Sequence, residues 1–270
     1  MLAVDGLTKR FGGFLAVNRV SFAVREGEIL GLIGPNGSGK STTFNLIAGT
    51  LRPTSGSVRF AGEEIAGLPA HAICRQGIGR TFQIPRPFRK LSLLENVMLA
   101  ASYGKASVSR ADEPASGECP ARALVKLPRW PLASLASAAR ADARHAAEEA
   151  LGLVGLPTDA STTTDGLGAA ALKKLELARA LATKPRLLLA DESLGGLDAT
   201  EMEHAADLLE RIRSRMGVTI IWVEHIMGVL MRIVDRVIVL DHGEKIFEGA
   251  PAQAAVDARV TEVYLGKGKG

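Results

Sequence analysis

The sequence predicts an α/β fold built on a mostly parallel sheet with helices on both faces. Three observations carry this. An apolar run at residues 29–33 is followed by a glycine-rich loop and then by a helix-like stretch at 41–49. Beyond residue 167, helical and strand patterns alternate: apolar residues fall at helical spacing over 172–183, and 186–190 reads as a buried-type strand with a continuous apolar run at 187–190. A second helical pattern covers 199–216, and a second apolar run covers 218–223. Strands separated by helices are the pattern of parallel crossover units. Finally, 270 residues at 47% hydrophobic and 23% charged are enough for a sizeable buried core.

Other elements follow along the chain. Residues 2–11, 19–24 and 57–60 are short β-branched or alternating runs punctuated by Gly and Pro, so the first quarter reads as strands around one strand–loop–helix unit. Between about 91 and 156 the character becomes Ala-rich and helix-favouring, with a helix expected over 138–154. The stretch 104–131, rich in Ser, Pro, Gly and Ala, is expected to be the irregular middle of a helical insertion. No long internal repeat is present.

Composition narrows the function classes. No apolar run approaches the roughly 20 residues that span a bilayer, and the N-terminus lacks a charged-then-apolar signal layout. Cys74 and Cys119 are the two cysteines, too few for a disulfide framework, so a reducing cytoplasm is expected. The net charge of +4 is small and scattered, and aromatics are 4%, which gives no support to stacked single-strand nucleic-acid binding. His71, His145, His204 and His242 lack metal-ligand spacing and read as ordinary surface or packing residues.

The glycine-rich loop carries the first chemistry. Gly34, four intervening residues, Gly39, Lys40 and Ser41 match G-x-x-x-x-G-K-[ST], after a strand and before a helix. Glycines let the backbone wrap a phosphate chain with its N–H groups inward, and the helix N-terminus adds positive potential. Lys40 is expected on the β- and γ-phosphates and Ser41 on Mg²⁺, with Pro35, Asn36, Gly37, Ser38 and Thr42 completing the cradle. The alternative is a tight turn beside an exposed lysine. The run 186–190 then leads to Asp191 and Glu192, as expected where one carboxylate holds the metal's water shell and the next polarises the attacking water. A plain surface acidic pair is the alternative there.

With these residues in place, the sequence resembles the ATP-binding subunit of ABC transporters over nearly its whole length. GPNGSGKST has the family's Walker A form and LLLADE its Walker B form. RTFQIPRPF supplies the Q-loop glutamine Gln83, SLGGLD the D-loop aspartate Asp198, and IIWVEH the switch histidine His225. Phe11 stands where the family stacks an aromatic ring on adenine; core packing on the first strand is the alternative. GLTKRFGGFLAVNRVSF, GIGRTFQIPRPFRKLSLLENV, KLELARALATKPRLLLADES and VTEVYLG look closest to the branched-chain amino-acid importer class.

The resemblance implies a P-loop NTPase (RecA-like) core with a parallel sheet, an N-terminal antiparallel β subdomain and an inserted α-helical subdomain. Residues 1–270 would form one ATP-binding domain: catalytic core 1–83 and 184–250, helical subdomain 84–183, and C-terminal tail 251–270. It also implies ATP and Mg²⁺, with Asp191, Ser41 and Gln83 at the metal, Glu192 as general base and His225 sensing the γ-phosphate. The implied partners are a sister ATP-binding subunit or a second copy, two membrane permeases and an external solute-binding protein. No nucleic acid is expected, and the chain would sit on the inner face of the membrane.

One departure stands out. Where the family carries LSGGQ, this chain has Leu167, Gly168, Ala169, Ala170 and Ala171, so the serine hydroxyl that meets the γ-phosphate on the opposite subunit is missing. Backbone donors at a helix start are what remains. The change motivates an alternative reading as a weakly hydrolysing or regulatory subunit; a soluble ABC ATPase outside transport is the other rival.

Overall fold

Alternating apolar patterns and continuous ones sort the strands into two different sheets. The computed structural model describes residues 1–104, 137–191, 198–224 and 227–265. The chain opens with β1 (Leu2–Phe11) and β2 (Phe14–Val24), runs through β3 (Ile29–Ile33) into α1 (Lys40–Ile47), and continues with β4 (Ser55–Phe60), β5 (Glu63–Glu64), α2 (Ala70–Arg75) and β6 (Ile78–Arg80). Helices α3 (Leu93–Gly104), α4 (Ser137–Val154) and α5 (Ala169–Ala182) follow. The chain then returns to β7 (Leu187–Asp191), α6 (Ala199–Met216), β8 (Thr219–Val223), α7 (Met227–Ile233), β9 (Arg236–Asp241), β10 (Glu244–Gly249), α8 (Pro251–Val256) and α9 (Ala258–Leu265). Two compact units result, Met1–Ile84 with Pro185–Gly270, and Pro85–Lys184.

In the first unit, β2-β1-β4-β5 form an antiparallel sheet. Leu2 and Val4 are buried while Ala3 and Asp5 are exposed, the period of a strand with one face on the core, and a register shift at Gly6, whose φ is 56°, makes Leu7 the next buried residue. Strand β2 starts at Phe14, five residues earlier than the sequence pattern predicts. Gly12 and Gly13 close a two-residue hairpin that pairs Phe11 with Phe14. Register shifts in the pairing with β1 and a positive φ of 47° at Arg19 break the alternation that would have shown this from sequence.

The second sheet runs β10-β9-β3-β8-β7-β6 and is parallel except for β10 at its edge. Every residue of β3, β7 and β8 is buried, which explains their largely apolar sequences, with Thr219 and Asp191 at strand ends: a parallel strand covered on both faces has no polar side to show. Burying each Leu, Ile or Val contributes roughly 1.5–3 kcal/mol, so these three strands anchor the core. The fold is therefore the expected P-loop α/β architecture with an N-terminal antiparallel sheet.

In the second unit, α3, α4 and α5 pack on one another. A capping box opens α3: the Ser92 amide donates to Glu95 Oε2 at 2.8 Å and the Glu95 amide to Ser92 Oγ at 3.2 Å. Asn96, fully buried, donates to the Ser92 carbonyl and accepts from the Phe88 amide, fixing the approach to the helix. Helix α5 begins at Ala169, three residues before the predicted start, because small residues with no periodic signal form its first turn. Most of the stretch 104–131 lies outside the described residues. Among the described residues, no helix is long and apolar enough to cross a membrane.

Candidate nucleotide site

The loop after β3 turns sharply enough that its glycines are dictated by space. A side chain at Gly34 would place its Cβ 2.2 Å from the Leu240 carbonyl oxygen and 2.6 Å from Ser38 Oγ. At Gly39, with φ of 99°, a Cβ would lie 2.6 Å from the Ala16 carbonyl oxygen. The loop is thus braced from behind by β2 and by the β9–β10 turn, where the Gly243 amide donates to the Ser38 carbonyl at 3.1 Å and the Asn18 amide to the Gly243 carbonyl at 2.8 Å. Gly39→Ala is expected to cost at least about 1–3 kcal/mol from the backbone conformation alone, with the clash added. A urea midpoint equal to that of the wild type would contradict this.

Gly39 caps α1, whose first-turn N–H groups have no acceptor within the helix and face the loop. Lys40, 5% exposed, donates from Nζ to the carbonyls of Gly34 at 2.8 Å and Pro35 at 2.9 Å, so its ammonium lies inside the ring that the loop makes. Ser38 Oγ is buried without a hydrogen-bond partner among the described residues, an orphaned hydroxyl in the same place. A glycine loop pressed against neighbouring backbone from behind, carrying an ammonium, an unsatisfied hydroxyl and the start of a helix, suits a polyphosphate. Ser41 is exposed on the first turn of α1, Thr42 is half-buried beside it, and Asn36 and Gly37 are exposed at the loop's tip.

Asp191 ends β7, 6% exposed, and α1 packs on that strand. Its backbone amide donates to Thr81 Oγ1 at 3.1 Å, while Arg80 Nη2 donates to Asp191 Oδ2 at 2.9 Å. Gln83 follows two residues after Thr81 and is exposed. Hydroxyl, carboxylate and amide oxygens from Ser41, Asp191 and Gln83 are the hard donors that Mg²⁺ takes. Glu192 and His225 lie outside the described residues; the strands that lead to them, β7 and β8, are parallel neighbours, with Asp191 opposite Val223.

Phe11 is 46% exposed at the hairpin end of β1, with Lys9 Nζ 5.0 Å from its ring centroid. The core-packing alternative for this residue is thereby excluded. Asp198 caps α6 through a reciprocal box with Glu201, its Oδ1 accepting from the Glu201 amide at 2.8 Å. Leu167 to Ala171 form the start of α5 in the second unit. Gly168 is the exposed N-cap, in extended conformation and with no side-chain cap, and a Cβ there would meet nothing within 4 Å.

Three features of the site escaped the sequence. Arg80 pairs with Asp191 across 111 residues of chain. Glu224, 1% exposed, places a second buried carboxylate at the end of β8. Tyr264 of α9 comes near Gly34, burial pushes its hydroxyl up to about 12, and its Oη has no hydrogen-bond partner among the described residues.

Against known proteins, the family model described as ABC transporter matches residues 17–195. The chain belongs to the ABC transporter family. As a member of it, the chain is 37% identical over 270 residues to the high-affinity branched-chain amino acid transport ATP-binding protein BraF of Pseudomonas aeruginosa, covering 99% of this chain and 98% of that one. To the corresponding protein LivG of Escherichia coli it is 34% identical over 267 residues, again 99% and 98% of the two chains. Among solved structures, the ADP conformation of the ATP-binding cassette MJ1267 superposes with a TM-score of 0.82 at 27% identity, covering 99% of each chain. The dimeric cassette MJ0796 gives 0.71 at 27% identity, over 93% of this chain and 99% of that one. These likenesses favour the transporter reading over a regulatory subunit or a soluble ATPase outside transport.

Proposed function

We propose that this ABC transporter chain is the ATP-binding and ATP-hydrolysing subunit that powers an importer for branched-chain amino acids or a related small solute. The observation that carries it is the glycine loop of Gly34 to Thr42, with Lys40 turned into it, leading into a helix that packs on the strand ending in buried Asp191, on a chain alike over nearly its full length to two branched-chain amino acid transport proteins.

Lys40 and the loop amides hold the phosphates, and the Phe11 ring stacks on the base. Ser41, Asp191 and Gln83 hold Mg²⁺, which when bound neutralises charge on the β- and γ-phosphates. Glu192 takes the proton of the attacking water, and His225 contacts the γ-phosphate. Residues 1–83 and 184–250 act as the catalytic core and 84–183 as the helical subdomain, with Gln83 at the junction and residues 251–270 as the tail. The chain pairs with a sister subunit or a second copy, so that each nucleotide lies between one chain's Gly34 to Thr42 and the other's Leu167 to Ala171, with Asp198 at the same interface. Two permeases hold the pair to the inner face of the membrane, and an external solute-binding protein delivers the solute.

ATP turnover of the complete complex tests this reading, and turnover no faster than that of the permeases alone would overturn it. The altered signature adds a sharper expectation. A hydrogen bond to a charged group is worth about 1.5–3 kcal/mol, or roughly 10- to 100-fold in rate. The open space at Gly168 accepts a side chain, so Gly168→Ser, alone or with Ala170→Gly, is expected to speed the site that Leu167 to Ala171 complete. Unchanged turnover in a complex whose chemistry limits the rate would mean that backbone donors already suffice.

A further inference from the structure

Arg80 sits on β6, three residues before Gln83, and its guanidinium is shared between two elements of the nucleotide site. Nη2 donates to Asp191 Oδ2 at 2.9 Å, and the two side chains are only 12% and 8% exposed. Nη1 donates to Asn45 Oδ1 at 2.7 Å, on the helix that begins at Lys40. The Phe82 ring covers the guanidinium, with its centroid 5.1 Å from Cζ. A planar guanidinium suits this arrangement because its fork reaches two acceptors at once, which an ammonium on a flexible stem does less well.

Two cations therefore have claims on one carboxylate. Asp191 is buried at the end of β7, where a charge without a partner is strongly unfavourable. Resting on the nucleotide-binding reading above, we infer that Arg80 is the resident counter-ion of Asp191: it balances and aims the carboxylate when Mg²⁺ is absent, and it weakens the hold on Mg²⁺ when the metal binds. The guanidinium takes Oδ2, leaving Oδ1 outside this pair, so the carboxylate keeps its direction while sharing its charge. Removing Arg80 has two opposed consequences. The carboxylate gains torsional freedom, which loosens the metal, and it loses a competing unit charge at hydrogen-bond distance, which tightens it. In a site this dry the charge dominates, because Coulomb interactions at short range and low dielectric exceed the entropy of one short side chain. Asp191 then has Mg²⁺ in place of the charge partner that Arg80 supplies among the described residues.

The experiment is equilibrium binding of ADP to the full chain, first in EDTA and then at rising free Mg²⁺, for the wild type, Arg80→Met and Arg80→Lys, with melting temperature followed in parallel. ADP avoids turnover, and the metal itself is the probe. In EDTA, Arg80→Met is expected to bind ADP within about threefold of the wild type, since the cradle of Gly34 to Thr42 is intact. Its half-saturating Mg²⁺ concentration should fall about tenfold, within the usual range of coupling between two sites. The same variant should melt lower in EDTA and gain more from Mg²⁺ with ADP than the wild type does. Arg80→Lys, which restores the charge, should return the Mg²⁺ dependence to near the wild type. A merely structural arginine would lower the melting temperature with no selective rescue by Mg²⁺. Should Arg80→Met not fold, Arg80→Gln, neutral but polar, carries the same expectation. An unchanged or raised Mg²⁺ requirement in the neutral variant overturns the inference while leaving the nucleotide site standing. Failure of the wild type to bind ADP with Mg²⁺ overturns both.

Discussion

Replacing Lys40 with alanine is expected to remove ATP binding by a factor of roughly 10² to 10⁴. The Lys40 ammonium is the one side-chain cation placed within the ring of Gly34 and Pro35 carbonyls, at 2.8 and 2.9 Å among the described residues. Two charge-assisted contacts to phosphate oxygens, at about 1.5–3 kcal/mol each, amount to about 3–6 kcal/mol of affinity. Alanine keeps the helix that follows, since it has the highest helix propensity, so the loss should fall on the ligand and not on the fold. Titration with a fluorescent ATP analogue, with circular dichroism to confirm folding, measures it. Retained micromolar affinity in a folded Lys40→Ala chain would count decisively against the phosphate cradle.

Glu192→Gln should do the reverse, keeping ATP bound while slowing hydrolysis by roughly 10² to 10⁴, the usual worth of a general base. Strand β7 is buried along all five residues and delivers Asp191 to the edge of the site, and Glu192 is the next carboxylate in the chain. Glutamine matches its shape and removes its basicity, so binding and chemistry separate. Single-turnover hydrolysis by the assembled complex reads the difference, and near-normal rates would take the base role away from Glu192.

These two expectations come from motifs that a sequence displays directly, because a phosphate loop and a strand-end acidic pair are local. The same holds for β3, β7 and β8, whose largely apolar runs announce strands covered on both faces. Pairings made by topology are different in kind. Arg80 and Asp191 are 111 residues apart and meet because β6 and β7 are parallel neighbours, with Arg80 opposite Leu189. No periodicity or spacing encodes that contact. The Gly34 and Gly39 positions were legible as glycines, but their cause, the carbonyls of Leu240 and Ala16 pressed behind the loop, belongs to strands far away in sequence. Phe11 shows a third case: its motif position left core packing and base stacking open, and its exposure at the Gly12-Gly13 hairpin removes the first. That dipeptide was itself the signal that β2 starts at Phe14, obscured by the irregular register beyond it.

If ATP held by this chain drives uptake of a small solute, transport by the assembled complex shows it. The complete complex, with its permeases and its solute-binding protein, is reconstituted in vesicles, and accumulation of labelled leucine is followed with and without ATP on the side of this chain. Accumulation is expected to require ATP, and Lys40→Ala in this chain to reduce it to the level seen without ATP. Leucine uptake that proceeds equally without ATP, or that Lys40→Ala leaves unchanged, would contradict it.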